Sequence, residues 1–326
     1  MCFFPYELDQ EACRGEGDML PQRGFLYNTA VLDDMLNFAE APSRTWVSGE
    51  ELENPRQIPH PIAQPDDSHE MGITPRGNLL VLIYRMHEAG KILTNGETLA
   101  LPVTSCYLVE RDNTGTTVWE WDSIDHIYPD PDPATCYQPT EGFNYHDYFH
   151  CNCASFNESD PNELILTGRY MRGCVSVDYA TGKVNWILAN PSNPLNQFTY
   201  PGDALMGPAS VHGGIMRGNT LYIFDNGDYP TDPYLKGSRL FGRAPTPCVH
   251  EYSRVVEYQI DAETHTATYI RQTTLDNRIA RISGYIQFIE RGKGEEENML
   301  LTWGSQVFIH NCGFGKIYKT NIDHWY

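Results

Sequence analysis

No run of 18 apolar residues occurs anywhere in the chain, so no segment is read as a bilayer-spanning helix. Basic residues are scarce: 23 Lys and Arg stand against 43 Asp and Glu, a formal net charge of −20. A field of that sign repels phosphate backbones and anionic lipid, which excludes nucleic acid as a partner. An anionic substrate must then be held by a local cluster of donors working against the global charge. Nine cysteines are present, yet they form neither a CxxC pair nor a zinc spacing. There is no Gly-x-Ser-x-Gly elbow and no phosphate loop. Missing too is any helical periodicity between the apolar segments, which excludes Rossmann and TIM-barrel folds.

What is there points to β structure. Hydrophobic residues make up 40% of the 326 and aromatics 12%, alongside 27 glycines and 22 prolines. That mix describes a globular chain with a substantial core and many turns. The opening Met1-Cys2-Phe3-Phe4-Pro5-Tyr6 lacks the basic and long apolar regions of a signal peptide. Nine cysteines are nevertheless generous, so a secreted or periplasmic protein with some disulfides is favoured over a cytoplasmic one. Being odd in number, they leave at least one thiol free or paired outside the chain. Asn157-Glu158-Ser159 is a glycosylation sequon, meaningful only in a secreted protein.

One pattern recurs four times. It begins at His69 and runs to Asn78-Leu-Leu-Val-Leu. It returns at His150-Cys-Asn152 with Asn162-Glu-Leu-Ile-Leu-Thr-Gly-Arg169, at His212-Gly-Gly-Ile-Met-Arg-Gly-Asn219 with Thr220-Leu-Tyr-Ile-Phe-Asp225, and at Ser283-Gly-Tyr-Ile-Gln-Phe with Met299-Leu-Leu-Thr-Trp-Gly304. The starts lie 81, 62 and 71 residues apart. Each copy is a short strand, a turn and a strongly apolar strand, which reads as a β-hairpin. A second hairpin follows each: Cys106–Asp112 into Val118–Trp121, Cys174–Asp178 into Val184–Trp186, Arg254–Asp261 into Ala267–Ile270, and Lys316–Asp323. Asp or Asn with Gly supplies the turns.

Two hairpins per repeat make a four-stranded antiparallel sheet, and radial repetition of such sheets is the β-propeller answer to unpaired edges. The expected fold is therefore all-β, a propeller of five or six blades with its catalytic residues in the central channel. Residues 1–20 form an N-terminal extension and residues 21–326 the single propeller domain, which opens on a half unit around Gly24–Trp46. Tyr128–Ala134 and Asp228–Pro247 are rim excursions over the channel.

The first strand of each blade lines the channel, so His69, His150 and His212, placed at its start in three consecutive repeats, converge there. Convergent imidazoles make either an acid, base and nucleophile cluster or a metal site. Asn152 and Arg169 belong to the same hairpin as His150, and His146-Asp147 just before it offers an imidazole–carboxylate pair. Asp225-Asn-Gly-Asp228 has part of a calcium loop but not its full register, and reads as a turn.

Jointly, the His-x-Asn hairpin, the Thr167-Gly-Arg169 strand end, Thr181-Gly-Lys-Val-Asn-Trp186, Phe224-Asp-Asn-Gly227 and Ser253-Arg-Val-Val-Glu-Tyr-Gln-Ile-Asp261 resemble the arylsulfate sulfotransferase family, from about residue 60 to the end. The resemblance implies a six-bladed propeller that moves a sulfuryl group from one phenol ester to another phenol through a sulfated histidine, with no nucleotide sulfate donor and no cofactor. It makes His212 the nucleophile. His69, His150 and Asn152 then bind sulfuryl oxygens or shuttle the phenol proton, and Arg169 neutralises charge. The family's channel lysine in the last repeat has no aligned counterpart, Arg278 or Arg281 being nearest, and Arg281 is taken as the substrate-binding cation. The partner implied is a small aromatic molecule. Two other readings stay open on the residues alone: a metal-dependent lyase or hydrolase using the same histidines, and a propeller that binds a ligand without turning it over.

Overall fold

The computed structural model describes residues 2–3, 29–32, 38–40, 45–48, 55–58, 71–100, 102–128, 146–227, 250, 252–276, 278–280, 284–289, 298–303, 306–311 and 316–319. Among these the chain is all-β, with one short 3-10 helix at Ser123–Asp125. Its strands form five sheets. The first joins β1 (Cys2–Phe3), β2 (Thr29–Leu32), β3 (Phe38–Glu40), β4 (Thr45–Ser48) and β5 (Pro55–Ile58) in chain order. The second holds β6 (Met71–Ile73), β7 (Leu79–His87), β8 (Val103–Arg111), β9 (Thr117–Asp122) and β10 (His146–Asp147). The third is β11 (Cys151–Asn157), β12 (Asp160–Gly168), β13 (Gly173–Asp178) and β14 (Val184–Ala189). The fourth is β15 (Val211–Arg217), β16 (Thr220–Asp225), β17 (Arg254–Asp261) and β18 (Thr266–Thr274). The fifth is β19 (Tyr285–Ile289), β20 (Asn298–Trp303), β21 (Gln306–Asn311) and β22 (Lys316–Lys319).

The last three sheets are the four-stranded antiparallel meanders that the doubled hairpins predict. The second has a fifth strand. β9 has six residues to the nine of β8, and β10 pairs in parallel with Val103 and Thr104 at the start of β8. The N-terminal half unit is a whole sheet of strands two to four residues long, beginning at Cys2 rather than near Gly24. The strands fall into two compact units. One takes Met1–Ile83, Tyr107–Trp121 and Thr320–Tyr326, and the other takes Tyr84–Cys106 and Asp122–Lys319. The third, fourth and fifth sheets all lie in the second unit.

In the third and fourth sheets the inner strands are largely buried on both faces, which explains why they read as continuous apolar runs. Along β16 the side chains alternate. Leu221 and Ile223 pack with Ile165, Trp186 and Leu188 of the third sheet, whereas Phe224 packs with Ile286, Leu301 and Trp303 of the fifth. Gly214 faces the third sheet so closely that a Cβ there would lie 2.6 Å from the Thr167 Cγ2. The glycine pair after His212 thus permits β15 to approach its neighbour. Hairpin turns close as their residues dictate. At the β13–β14 turn, Asp178 accepts the Thr181 N–H and hydroxyl at 2.7 Å each, and Gly182 takes φ +72°.

A Cys106–Cys151 disulfide, with 5.6 Å between Cα atoms, ties β8 to the first residue of β11. Cys153 and Cys174 are buried free thiols. Burial and the Asp225 charge push the Cys174 thiol far above its ordinary range, so it is unreactive. The sequon is not available for modification in the fold. Asn157 is buried, its Nδ2 donating to Glu163 Oε2 at 2.7 Å and to the Gly218 carbonyl at 3.0 Å. The excursions at 129–134 and 228–247 lie outside the described residues.

Candidate functional site

Four of the six residues singled out in the sequence are described: His150, Asn152, Arg169 and His212. His69 and Arg281 lie outside the described residues, and Arg278, the other basic candidate of the last repeat, is exposed.

His150 precedes β11 in a left-handed backbone conformation, φ +51°. Asp147 holds it there, one carboxylate oxygen accepting the His150 backbone N–H at 2.9 Å and the other facing Nδ1 at 2.5 Å. An imidazole–carboxylate pair therefore forms between His150 and Asp147. A carboxylate only accepts, so Nδ1 carries the proton. The ring lies 4.6 Å from the Tyr170 ring and 5.4 Å from that of Tyr84, centroid to centroid. Both tyrosines are partly exposed, and the Tyr84 hydroxyl donates to the Cys151 carbonyl at 2.9 Å.

Asn152 and His212 are the same structural position in successive sheets. Opposite β12, Cys151 pairs with Gly168 and Cys153 with Thr167, so Asn152 is the extra residue of a bulge. Opposite β16, Val211 pairs with Asp225 and Gly213 with Phe224, which makes His212 the bulged residue there. Bulges re-aim side chains. By this register the counterpart of His150 is Ser210, and the counterpart of Arg169 is Asn226. The two histidines thus enter from different positions of the repeat, not from the equivalent phase that the sequence pattern suggested.

Hydrogen bonds join these strands across the sheets. The Asn152 Nδ2 donates to the Val211 carbonyl at 3.1 Å, and the Thr167 hydroxyl donates to the His212 carbonyl at 2.9 Å. The Arg169 N–H donates to the His150 carbonyl at 2.8 Å. The Asn152 Oδ1 is buried without a hydrogen-bond partner among the described residues. His212 and Arg169 are buried at 7% and 5% exposure. The His212 Nδ1 lies 3.2 Å from Asn226 Oδ1.

Beneath the site runs a buried ionic network that sequence reasoning missed. Asp225, in place of a calcium ligand, accepts the Ala209 and Ser210 N–H groups at 3.0 Å each on one oxygen. Its other oxygen faces His250 Nδ1 at 2.8 Å and Arg254 Nε at 3.3 Å. Arg254 then clasps Asp203 with two 2.9 Å bonds, and the Tyr258 hydroxyl donates to the same carboxylate at 2.5 Å. Burial by itself would raise the Asp225 carboxyl, but the His250 and Arg254 charges and the backbone N–H groups overcome that and hold it far below the usual carboxylate range. Among the described residues no group of acidic, histidine and cysteine side chains is arranged to hold a metal ion.

A second constellation has catalytic residue types without catalytic geometry. His87 Nε2 meets both Ser105 Oγ, at 2.9 Å, and Asp122 Oδ2, at 3.3 Å, while Nδ1 faces the Lys91 ammonium at 3.1 Å. A nucleophilic triad needs hydroxyl and carboxylate on opposite ring nitrogens, and Ser105 is fully buried.

The family model described as Arylsulfotransferase (ASST) matches residues 47–307. No curated protein matches the chain. Among solved structures, an auxiliary nutrient binding protein from Bacteroides ovatus is 10% identical over 89% of this chain and 56% of its own, with a TM-score of 0.46. A protein of unknown function from Bacteroides caccae is 8% identical over 89% of this chain and 79% of its own, with a TM-score of 0.44. A mutant of the Synechocystis apocarotenoid oxygenase is 8% identical over 91% of this chain and 60% of its own, with a TM-score of 0.43. The chain spans little more than half the length of the Bacteroides ovatus protein.

Proposed function

Because the chain belongs to the arylsulfotransferase family, we propose that it moves a sulfuryl group from an aryl sulfate ester to a phenolic acceptor in two steps, through a sulfated His212 and without a nucleotide sulfate donor. The observation that carries this reading is the joining of the four described candidates across adjoining strands. The Arg169 backbone N–H donates to the His150 carbonyl, and the Asn152 side-chain amide donates to the carbonyl just before His212. The strands bearing them are, on this reading, inner strands of propeller blades, five or six in number, with the histidines in the channel.

In the first step the neutral His212 ring attacks sulfur. An N–S bond forms, the S–O bond to the aryl group breaks, and the departing phenolate takes a proton. In the second step an acceptor phenol attacks the same sulfur, its proton passes to a base, and the N–S electron pair returns to His212. His150 is the acid and base of the two steps. Its ring is backed by the Asp147 carboxylate, which stabilises an imidazolium as it forms, and such proton transfer supplies about 10²–10⁴ in rate. Negative charge spreads over the equatorial oxygens of the transferring group, by analogy with phosphoryl transfer. Arg169, the second N–H of the Asn152 amide, His69 and Arg281 are the donors proposed to face it. The partly exposed rings of Tyr84 and Tyr170 beside His150 offer aromatic faces for the phenol.

The test is turnover of 4-nitrophenyl sulfate with phenol as acceptor. Release of nitrophenolate coupled to formation of phenyl sulfate, unaffected by a chelator and abolished in His212→Ala, is expected. Loss of activity to the chelator, or simple hydrolysis with no sulfated phenol, overturns the reading.

A further inference from the structure

Asn226 stands directly after β16, and three of its polar groups are fixed by the segments around it. Its N–H donates to the Ser210 carbonyl at 2.7 Å, its carbonyl accepts the Ser253 hydroxyl at 2.6 Å, and its Nδ2 donates to the Ala280 carbonyl at 2.7 Å. The Ser253 oxygen in turn accepts the Ala280 N–H at 2.7 Å, so the segment receiving the amide is itself held. A carbonyl only accepts, which means the amide nitrogen must face Ala280 and the amide cannot be turned over. Its oxygen is thereby committed to the other side, 3.2 Å from His212 Nδ1. An amide oxygen also only accepts. The ring nitrogen opposite it must carry a proton, and in a neutral imidazole the lone pair then lies on Nε2.

We propose that Asn226 is a positioning residue that holds His212 in its neutral Nδ1–H form and so selects Nε2 as the nitrogen that receives the sulfuryl group. The proposal rests on the reading of His212 as the attacking group. The main chain of Asn226 and its Nδ2 anchor it at the strand end. The contrast with His150 is chemical. Both rings have Nδ1 against an oxygen, but one oxygen belongs to a carboxylate and the other to an uncharged amide. A carboxylate stabilises the imidazolium, which suits a proton carrier, whereas an uncharged amide oxygen accepts the Nδ1 proton without adding a charge that favours the imidazolium, which suits a nucleophile.

Nitrogen NMR of the full chain labelled at histidine reads the tautomer without any turnover. The expected result for the unsubstituted protein is a His212 ring with a protonated Nδ1 and an unprotonated Nε2, identified by the loss of its signals in His212→Ala. An Nε2–H ring overturns the proposal. In Asn226→Ala the ring proton should redistribute toward Nε2 and kcat should fall by up to about 10⁴-fold, the scale of a wrong tautomer at a catalytic histidine, with KM little changed. An unaltered tautomer in folded Asn226→Ala overturns it as well, and the result on the unsubstituted chain stands even where that variant fails to fold. An Nδ1–H ring on which no sulfuryl group is ever found would instead refute the assignment of His212 as nucleophile, leaving the tautomer assignment intact.

Discussion

Replacing Asp225 by asparagine changes one atom in a carboxylate that is completely buried and fully used. One oxygen faces the N–H groups of Ala209, Ser210 and Gly227, at 3.0 to 3.1 Å, and the other faces His250 and Arg254. Every neighbour is a donor. The new amide nitrogen must therefore point a donor at either the backbone cluster or the ionic one, and Arg254 keeps Asp203 as its sole carboxylate partner among the described residues. Breaking a buried ion pair by removing one partner costs about 3–5 kcal/mol. That is a large part of the roughly 5–15 kcal/mol that holds an ordinary domain folded. Asp225→Asn should lower the free energy of unfolding by about 3–5 kcal/mol in urea titration, with an unchanged m-value. Adding Arg254→Met should cost less than the sum of the single changes, because the two residues share one network. A loss below about 1 kcal/mol would place the pair among ordinary surface salt bridges and refute the reasoning.

The same network sets an acid limit. Asp225 and Asp203 both have carboxyls held below the usual range, Asp203 by Arg254 and Tyr258 against the raising effect of burial. Their contribution is complete above about pH 5, where the unfolded carboxylates are ionised, and is lost as pH falls through the unfolded value of about 4 toward the lower folded values. Stability measured from pH 6 downward should decline below that point, and less steeply in Asp225→Asn. Arg169→Ala should reduce kcat by about 10²–10³, the usual loss of one donor to a developing charge, when nitrophenolate release is followed at saturating donor. Gly214→Ala sets a methyl 2.6 Å from the Thr167 Cγ2, so chemical denaturation should show a loss of about 1–3 kcal/mol from overpacking.

Much of the architecture is written in short-range chemistry. Asp178, Thr181 and Gly182 announce a hairpin because their side chains and backbone freedom build its turn locally, and the third and fourth sheets follow the doubled hairpins strand for strand, whereas the second hairpin of the fifth is Gln306–Asn311 into Lys316–Lys319, its first strand lying before the expected Lys316–Asp323. The first sheet was largely illegible, since strands of two to four residues are too short to display a period of two. Register was the subtler loss. Bulges at Asn152 and His212 insert one residue without disturbing the apolar pattern, so counting from one histidine to the next aligned His212 with His150 when its true counterpart is Asn152. Asn226 and Asp225 lay within a motif that had been noticed, but Asp-Asn-Gly is an ordinary turn signal. Only the third dimension brings His250, Arg254 and Ala280 against them. The Asn157 sequon is likewise a local spacing, which says nothing of the burial that consumes its amide.

The central claim is that His212 carries the sulfuryl group between donor and acceptor. Mass analysis of the protein after exposure to 4-nitrophenyl sulfate without acceptor tests it most directly. The account predicts one added sulfuryl group, mapped to the peptide bearing His212 and discharged when phenol is supplied. Turnover with no protein-bound sulfuryl group, or with the group on any other residue, would contradict it.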